Sequence, residues 1–481
     1  MQAKHRKTSA ASASAADPSS LLLVDEADVR RQLHRTQDAP FAHAIVDGAV
    51  DASELLIVRD ELLRGIDAGA SDDDLHDYLV ADLSELPSTL NCTQGLRDAL
   101  CGEEFRSLVS RAAGIPLEGT VDMHALCLAT GQHVLCHSCC DEPQPPPAGH
   151  VNSRRLAFAL YLIDEAEEWK AADGGALELF GRDATGLPTT ADVQVLPKFN
   201  RLVLWDADAG RNALPYHAIA PVVAEHKALV LLRGFLHGPG PEPPAAQPMP
   251  PPMAPFRDLR DRPVRTAPSA TLEHVFFAAS KEFDTSCCVV IDDFFAELPR
   301  AGFDNGRWEP AGPPNLRRYH RLAKGVEGVE GANPLERVRA MLESRHTVEM
   351  LESLSGESIT GVVAEARKFA PGDYTLCYDE AAAKGHVLDV CVTCVAGGGE
   401  EGGEGGEEGE GALLRWAADE EPELLAVRPA HNRFVVAMRE PGTFVYVACT
   451  PKSDSKPVVC ARYDVFATYA LAHRSSDDDS E

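Results

Sequence analysis

Short apolar runs broken by Gly, Pro and Asn dominate residues 121–239. Residues 156–163 are almost continuously apolar. Residues 177–180 follow the turn signal Gly174-Gly175, and residues 202–205 follow the breakers of 197–200. Runs of this length between such breakers predict strands. Many short strands in series predict a jelly roll or a related double-sheet barrel. Upstream the period changes. Asp51 and Glu54 have capping-box spacing, and Leu55, Val58, Leu62 and Ile66 share one helical face, which predicts a helix over 51–66. A second helix is predicted over 94–113, and residues 71–79 read as a polar turn between them.

Residues 238–255 are Pro-rich and predict an extended linker. Beyond it the pattern predicts helices over 269–283 and 333–354, and β-rich runs resume at 359. Two blocks then repeat the first region. Phe369 to Tyr378 aligns with Leu128 to His137, sharing Ala, Gly and a Leu-Cys pair. Val427 to Val436 aligns with Val195 to Leu204, sharing Val, Pro, Asn-Arg and Val. Matched blocks in the same order argue for a duplicated fold; chance similarity of short strand–turn–strand segments is the competing explanation.

Composition narrows the class. At 481 residues the chain predicts two or three domains. It has no run of 18 apolar residues, so no membrane span is expected. A net charge of −30 argues against direct nucleic-acid binding and anionic membranes, and favours a basic protein as partner. Thirteen irregularly spaced cysteines suggest a reducing compartment, cytoplasmic and/or nuclear. Residues 1–20 are Ser/Ala-rich, with Lys4, Arg6, Lys7 and no acid before Asp17. That fits an organelle transit peptide as well as a polar tail.

The candidate chemistry is a metal. His137 and His217 lie far apart in sequence, each beside a strand. Mononuclear Fe(II) oxygenases use two histidines and one carboxylate, leaving open positions for co-substrate and O2. A lone histidine is more often a hydrogen-bonded or surface residue; the pair in a β-rich setting is what suggests ligation. Cys391-Val-Thr-Cys394 reads as buried strand rather than a zinc site, and Tyr161 and Trp205 as core.

Several of these stretches together resemble the 2-oxoglutarate- and Fe(II)-dependent prolyl hydroxylases. They are residues 154–162, Gly174-Gly-Ala-Leu, Pro197-Lys-Phe-Asn-Arg-Leu, His217 and Gly234-Phe-Leu-His-Gly-Pro239. The nearest resemblance is to the two-domain prolyl 3,4-dihydroxylases acting on a ribosomal small-subunit protein, over roughly residues 40–470. Asp73-Asp-Leu-His-Asp-Tyr78 fits their N-terminal pattern. The resemblance implies a mixed, mainly β fold: two double-stranded β-helix (jelly-roll) domains with flanking helices. It implies a disordered tail over 1–37, a catalytic-type domain over 38–240 and a linker over 241–256. A second, non-catalytic domain over 257–472 would carry a Gly/Glu-rich loop at 397–411, with an acidic tail over 473–481. The second copy has Tyr378 where the first has His137 and, counting from the shared Asn-Arg, Cys449 where the first has His217.

The implied function is hydroxylation of a prolyl residue in a protein, with ribosomal or other basic proteins as expected substrates, and with Fe(II), 2-oxoglutarate and ascorbate. The implied ligands are His137, a carboxylate and His217, and an arginine anchors the co-substrate. Two departures leave alternatives open. The family's His-x-Asp is here His137-Ser-Cys139-Cys140-Asp141, so the carboxylate sits at i+4, roughly 13 Å along an extended strand unless the chain bends. Asp141 returned by a bend, a damaged site and Cys139 as a thiolate ligand are the three arrangements, in that order. The family's 2-oxoglutarate arginine falls on Leu229; Arg233, on the same strand face, and Lys227 are the two substitutes. The competing function is a catalytically impaired two-barrel interaction protein. Oligomeric state is not legible.

Overall fold

The computed structural model describes residues 21–36, 40–65, 69–72, 75–83, 89–119, 121–138, 154–166, 168–207, 214–239, 255–256, 279–323, 333–377, 385–395, 413–418, 421–449 and 461–472. Asp141, Cys139, Tyr378, the Gly/Glu-rich loop, residues 1–20, most of the Pro-rich segment and residues 473–481 lie outside them.

The fold starts earlier than expected. Asp25 accepts a hydrogen bond from the Ala27 amide (3.0 Å) and caps α1 (Glu26–Arg35), whose Val29 and Leu33 are buried in the first core. Two apolar residues at i and i+4 behind a good cap have a surface to cover, so the tail drawn to residue 37 is corrected over 21–36. Helix α2 (Ala52–Gly65) forms where predicted, with Asp51 accepting from the Ser53 (3.0 Å) and Glu54 (3.3 Å) amides. The helix expected over 94–113 is two, α3 (Asn91–Cys101) and α4 (Glu103–Ala113), separated by Gly102 in extended conformation. A Cβ there would lie 2.8 Å from the Asp98 carbonyl.

Eleven strands form the first sheet: β1 (His43–Asp47), β2 (Gly69–Asp72), β3 (His76–Asp82), β4 (Val121–Leu128), β5 (His133–His137), β6 (Arg154–Tyr161), β7 (Leu177–Arg182), β8 (Pro188–Val195), β9 (Arg201–Asp206), β10 (His217–Ile219) and β11 (Leu229–His237). The turn expected over 71–79 is instead the β2–β3 hairpin. The strand order is β1-β9-β6-β11-β4-β3-β5-β10-β7-β8, with β2 on β3, and every pairing is antiparallel.

Alternation along the strands sorts side chains onto two faces. Phe158, Leu160, Leu232 and Leu236 face the helices, packing with Leu55, Leu96 and Phe105. Ala157, Tyr161, Trp205, Leu231 and Phe235 face the other way. They share one cluster with Val134, Leu179 and Ile219 from the opposite end of the strand order, so the sheet curls over itself and encloses an interior. Gly234 lies under the Phe158 ring, where a Cβ would come within 2.3 Å of ring carbons. Gly234→Ala should therefore cost about 1–3 kcal/mol of stability, checked by chemical denaturation of the full chain.

The later residues build a second arrangement: β12 (Cys288–Ile291), β13 (Trp308–Ala311), β14 (Arg317–Leu322), β15 (Ile359–Phe369), β16 (Tyr374–Thr375), β17 (Val387–Val395), β18 (Leu414–Ala418), β19 (Glu421–Val427), β20 (Arg433–Arg439), β21 (Thr443–Val447) and β22 (Arg462–Leu471). The orders are β12-β20-β17-β22-β15-β14-β13, with β16 on β14, and β19-β18-β21. The helix expected over 333–354 is again two, α5 (Pro334–Leu342) and α6 (Arg345–Ser355), broken where Ser344 caps the Thr347 amide. Cys391 and Cys394 are buried on β17, as a strand. Among the described residues no helix is long and apolar enough to cross a membrane.

The two sheets share a local clasp. Asn200 and Asn432 both have positive φ (58° and 64°), a conformation asparagine tolerates. Asn200 donates to the Val50 carbonyl (2.6 Å) and accepts from the Val50 amide (2.9 Å); Asn432 does the same with Phe295 (2.8 and 2.9 Å). The arginine after each reaches back to an aspartate, Arg201 to Asp47 and Arg433 to Asp292.

Candidate metal centre

The site is built by β5 and β10, whose pairing sets His137 directly opposite His217. Their rings face each other at 4.3 Å between centroids, and both are buried. His137 Nδ1 donates to the Leu135 carbonyl (2.9 Å) and His217 Nδ1 to the Pro215 carbonyl (3.3 Å). A carbonyl can only accept, so both Nδ1 atoms carry a proton, and it is Nε2 of each ring that offers the lone pair in the neutral imidazole. Metal–imidazole bonds are about 2.1 Å, which places the ring centres of two ligands on one ion roughly 4–5 Å apart. The pair fits two of the three protein ligands of such a centre. The third expected ligand, Asp141, and its alternative, Cys139, lie outside the described residues. Among the described residues no group of three His, Cys, Asp or Glu is placed to hold a metal.

The walls follow from the register. On the interior face, Asp122 of β4, Phe235 of β11, Ala157 of β6 and Trp205 of β9 form one layer, and Trp205 packs on His217 at 5.3 Å. The next layer inward holds His124, Arg233, Ala159 and Val203. Arg233 is 7% exposed, so it is not the surface charge that a strand-end arginine would ordinarily be; its guanidinium lies 5.4 Å from the Phe235 ring. Leu229 lies further in and is fully buried.

Sequence reasoning missed several polar neighbours. Arg154 sits 4.0 Å from the same Phe235 ring. His237 Nε2 hydrogen-bonds Asp122 (2.9 Å), with Arg154 Nε 3.8 Å away. Burial pushes the Asp122 carboxyl up, but the His237 hydrogen bond and the charges of His237, Arg154 and His124 outweigh it and hold the group below its ordinary range. His76 packs edge-on to His137 at 5.6 Å. The alternation of residues 229, 231, 233, 235 and 237 was the available signal, since it places Arg233 and His237 on the face of Phe235. Tyr161 and Trp205 are buried core residues, as expected.

The register also corrects one equivalence. Val195 pairs Leu177, and Val427 pairs Leu414. Counting on from these, the position of His217 is held in the second copy by Val445, which pairs Trp416, and not by Cys449.

Residues 123–237 match the family described as the 2OG-Fe(II) oxygenase superfamily. Residues 274–478 match the oxoglutarate and iron-dependent oxygenase degradation C-terminal family. Each of these two matches covers less than half of the chain, the first over the strands that carry His137, His217 and Arg233. The chain is similar to prolyl 3,4-dihydroxylase OGFOD1 of Ostreococcus tauri, 35% identical over 30% of this chain and 26% of that protein. It is also similar to prolyl 3-hydroxylase OGFOD1 of Xenopus laevis, 27% identical over 61% of this chain and 55% of that one. The chain thus spans between about a quarter and just over half of these relatives. Among solved structures, a Pseudomonas putida prolyl-4-hydroxylase is similar at 15% identity, with a TM-score of 0.33 over 44% of this chain and 98% of that one.

Proposed function

We propose that the chain hydroxylates a prolyl residue of a protein substrate in a reaction dependent on Fe(II) and 2-oxoglutarate. The observation that carries this is the His137–His217 pair, facing across β5 and β10 with both Nδ1 protons committed to backbone carbonyls, inside the segment that matches the oxygenase superfamily. Each half of the chain is read as a double-stranded β-helix, over 38–240 and 257–472, and only the first keeps the histidines. Asp141 is proposed as the third ligand, returned by the segment after Ser138.

When bound, Fe(II) would bring together O2, the oxidant, and 2-oxoglutarate, which would supply two of the four electrons as it loses CO2; one oxygen atom would enter a ring C–H of proline, the source of the other two electrons, and the second would leave in succinate. The chain's own residues do the rest. His137 and His217 offer Nε2 lone pairs from fixed rings. Arg233 offers a buried guanidinium fork to the distal carboxylate of 2-oxoglutarate, one layer in from the histidines. Trp205 and Phe235 wall the site against water. A net charge of −30 suits a basic substrate, ribosomal proteins included. Ascorbate would serve to keep iron reduced.

The test is Fe(II)-dependent succinate release with prolyl peptides. Arg233→Ala should raise the KM for 2-oxoglutarate about 10- to 100-fold, the loss of a hydrogen-bonded charge pair, with a smaller change in kcat. No succinate from the unaltered chain with any basic prolyl peptide would overturn the assignment. That outcome would favour an interaction scaffold, the function Leu229 at the family's arginine position argues for.

A further inference from the structure

We propose that Tyr374, on β16 of the second sheet, is a positioning residue for His137, holding the β-bulge that aims this imidazole into the first barrel. The proposal rests on the metal-site reading above. Val134 pairs Ile219 and His137 pairs His217, so β5 advances three residues where β10 advances two. That extra residue is a bulge, a device that re-aims side chains and leaves part of the ladder unpaired. Its effect shows in the packing. Val134 joins the interior cluster with Trp205 and Leu179. Leu135 and Cys136 both turn outward, Cys136 onto Phe180, Tyr216 and Ala218, and Leu135 onto Tyr374 and Leu376. Alternation then resumes with His137 facing His217.

The backbone of the bulge needs partners outside the β5–β10 ladder. The Leu135 amide donates to the Leu75 carbonyl (2.9 Å). The Cys136 amide donates to the Tyr374 hydroxyl, which in turn donates to the Pro314 carbonyl (2.5 Å). One phenol thus accepts from the strand that carries the metal ligand and donates to the loop before β14 of the other sheet. Its ring is 2% exposed, fixed from behind by Pro314 and flanked by Leu135 and Leu376. Without the hydroxyl, a buried amide one residue from His137 loses its acceptor. A strand can relieve that by slipping its register, and a slip of one residue turns side chains to the other face.

Tyr374→Phe keeps the ring and removes only the hydroxyl. Two readouts on the full chain test it. The first is hydrogen exchange of the backbone over residues 133–138 in metal-free protein. It should run about tenfold faster in Tyr374→Phe, the loss of roughly one buried hydrogen bond. The second is Co(II) titration followed by d–d absorption. The dissociation constant should rise about tenfold, the lower end of what outer-layer partners of metal ligands contribute, with an altered band shape. Leu376→Ala, which thins the packing but leaves the hydroxyl, should lower the melting temperature and leave the Co(II) band shape as it was. Unchanged exchange in Tyr374→Phe overturns the brace. Faster exchange with unchanged Co(II) affinity and spectrum overturns its role in positioning His137. An unaltered chain that binds no Co(II) overturns the metal-site reading, and the exchange measurement still decides whether the bulge is held.

Discussion

His217→Ala is expected to reduce Fe(II)-dependent succinate release at least about a hundredfold, because removing one of the proposed ligands should exceed the 10- to 100-fold loss typical of a ligand's outer-layer partners. The two histidines meet as one unit: each is a Cα partner of the other, and each imidazole is held by a carbonyl two residues back. Neither can be replaced from nearby. His76 approaches His137 edge-on but completes no three-membered group among the described residues. The fold should survive, since His217 lies between Trp205 and Leu179, which remain packed in the large interior cluster. The check is turnover together with the melting temperature. Equal turnover in the variant would rule out the proposed site, and a collapsed melting transition would show that the ring is structural first.

Asp464→Ala is expected to destabilise the full chain by about 3–5 kcal/mol, the cost of removing one partner from a buried ionic group. Asp464 is fully buried on β22. Arg367 donates to it from Nε (2.8 Å) and Nη2 (3.1 Å), and Arg462 from Nε (3.1 Å) and Nη2 (2.8 Å). Burial alone would push the carboxyl up, but the two guanidiniums outweigh it and hold it low, while burial of Arg367 is outweighed by Asp464, which holds that guanidinium protonated. Alanine would leave two cations in a dry interior with no counter-charge. The first sheet supplies the control. Matching registers, Arg367, Asp464 and Arg462 stand where it has Leu126, Leu231 and Leu229. Replacing all three with leucine should recover most of the loss, as apolar substitutes for buried ion groups commonly do. Urea denaturation distinguishes the outcomes, and a single variant as stable as the unaltered chain would contradict this account.

Much of the fold was legible where burial imposes a clean period. Leu55, Val58 and Leu62 announced α2, and the unbroken run into Tyr161 announced β6, because that strand is covered on both faces. Breaks within helices were not legible. Gly102 and Ser344 end one helix and begin the next through local capping and close packing, which periodicity does not record. The 69–82 hairpin read as a turn because β3 mixes polar residues with an exposed Leu79, so hydrophobic alternation is weak. In the site, the two histidines could be read from spacing, but Arg233 could not be separated from a surface charge until its burial was known. The Cys449 equivalence failed because counting along the chain assumed equal loops. The second copy reaches β21 from β20 by a shorter path, which puts Val445 in the place of His217.

The ionic layer of the second sheet also bears on whether an oxygenase site could be built there. Placing a histidine at Val445 would supply one imidazole above an interior whose arginines already have a carboxylate of their own. An incoming dianion would have to displace Asp464, and Asp464 cannot leave without exposing two buried cations. Building a site there would thus require several simultaneous changes, each harmful alone. The contacts that hold the second sheet together are the ones that keep a dianion out of it.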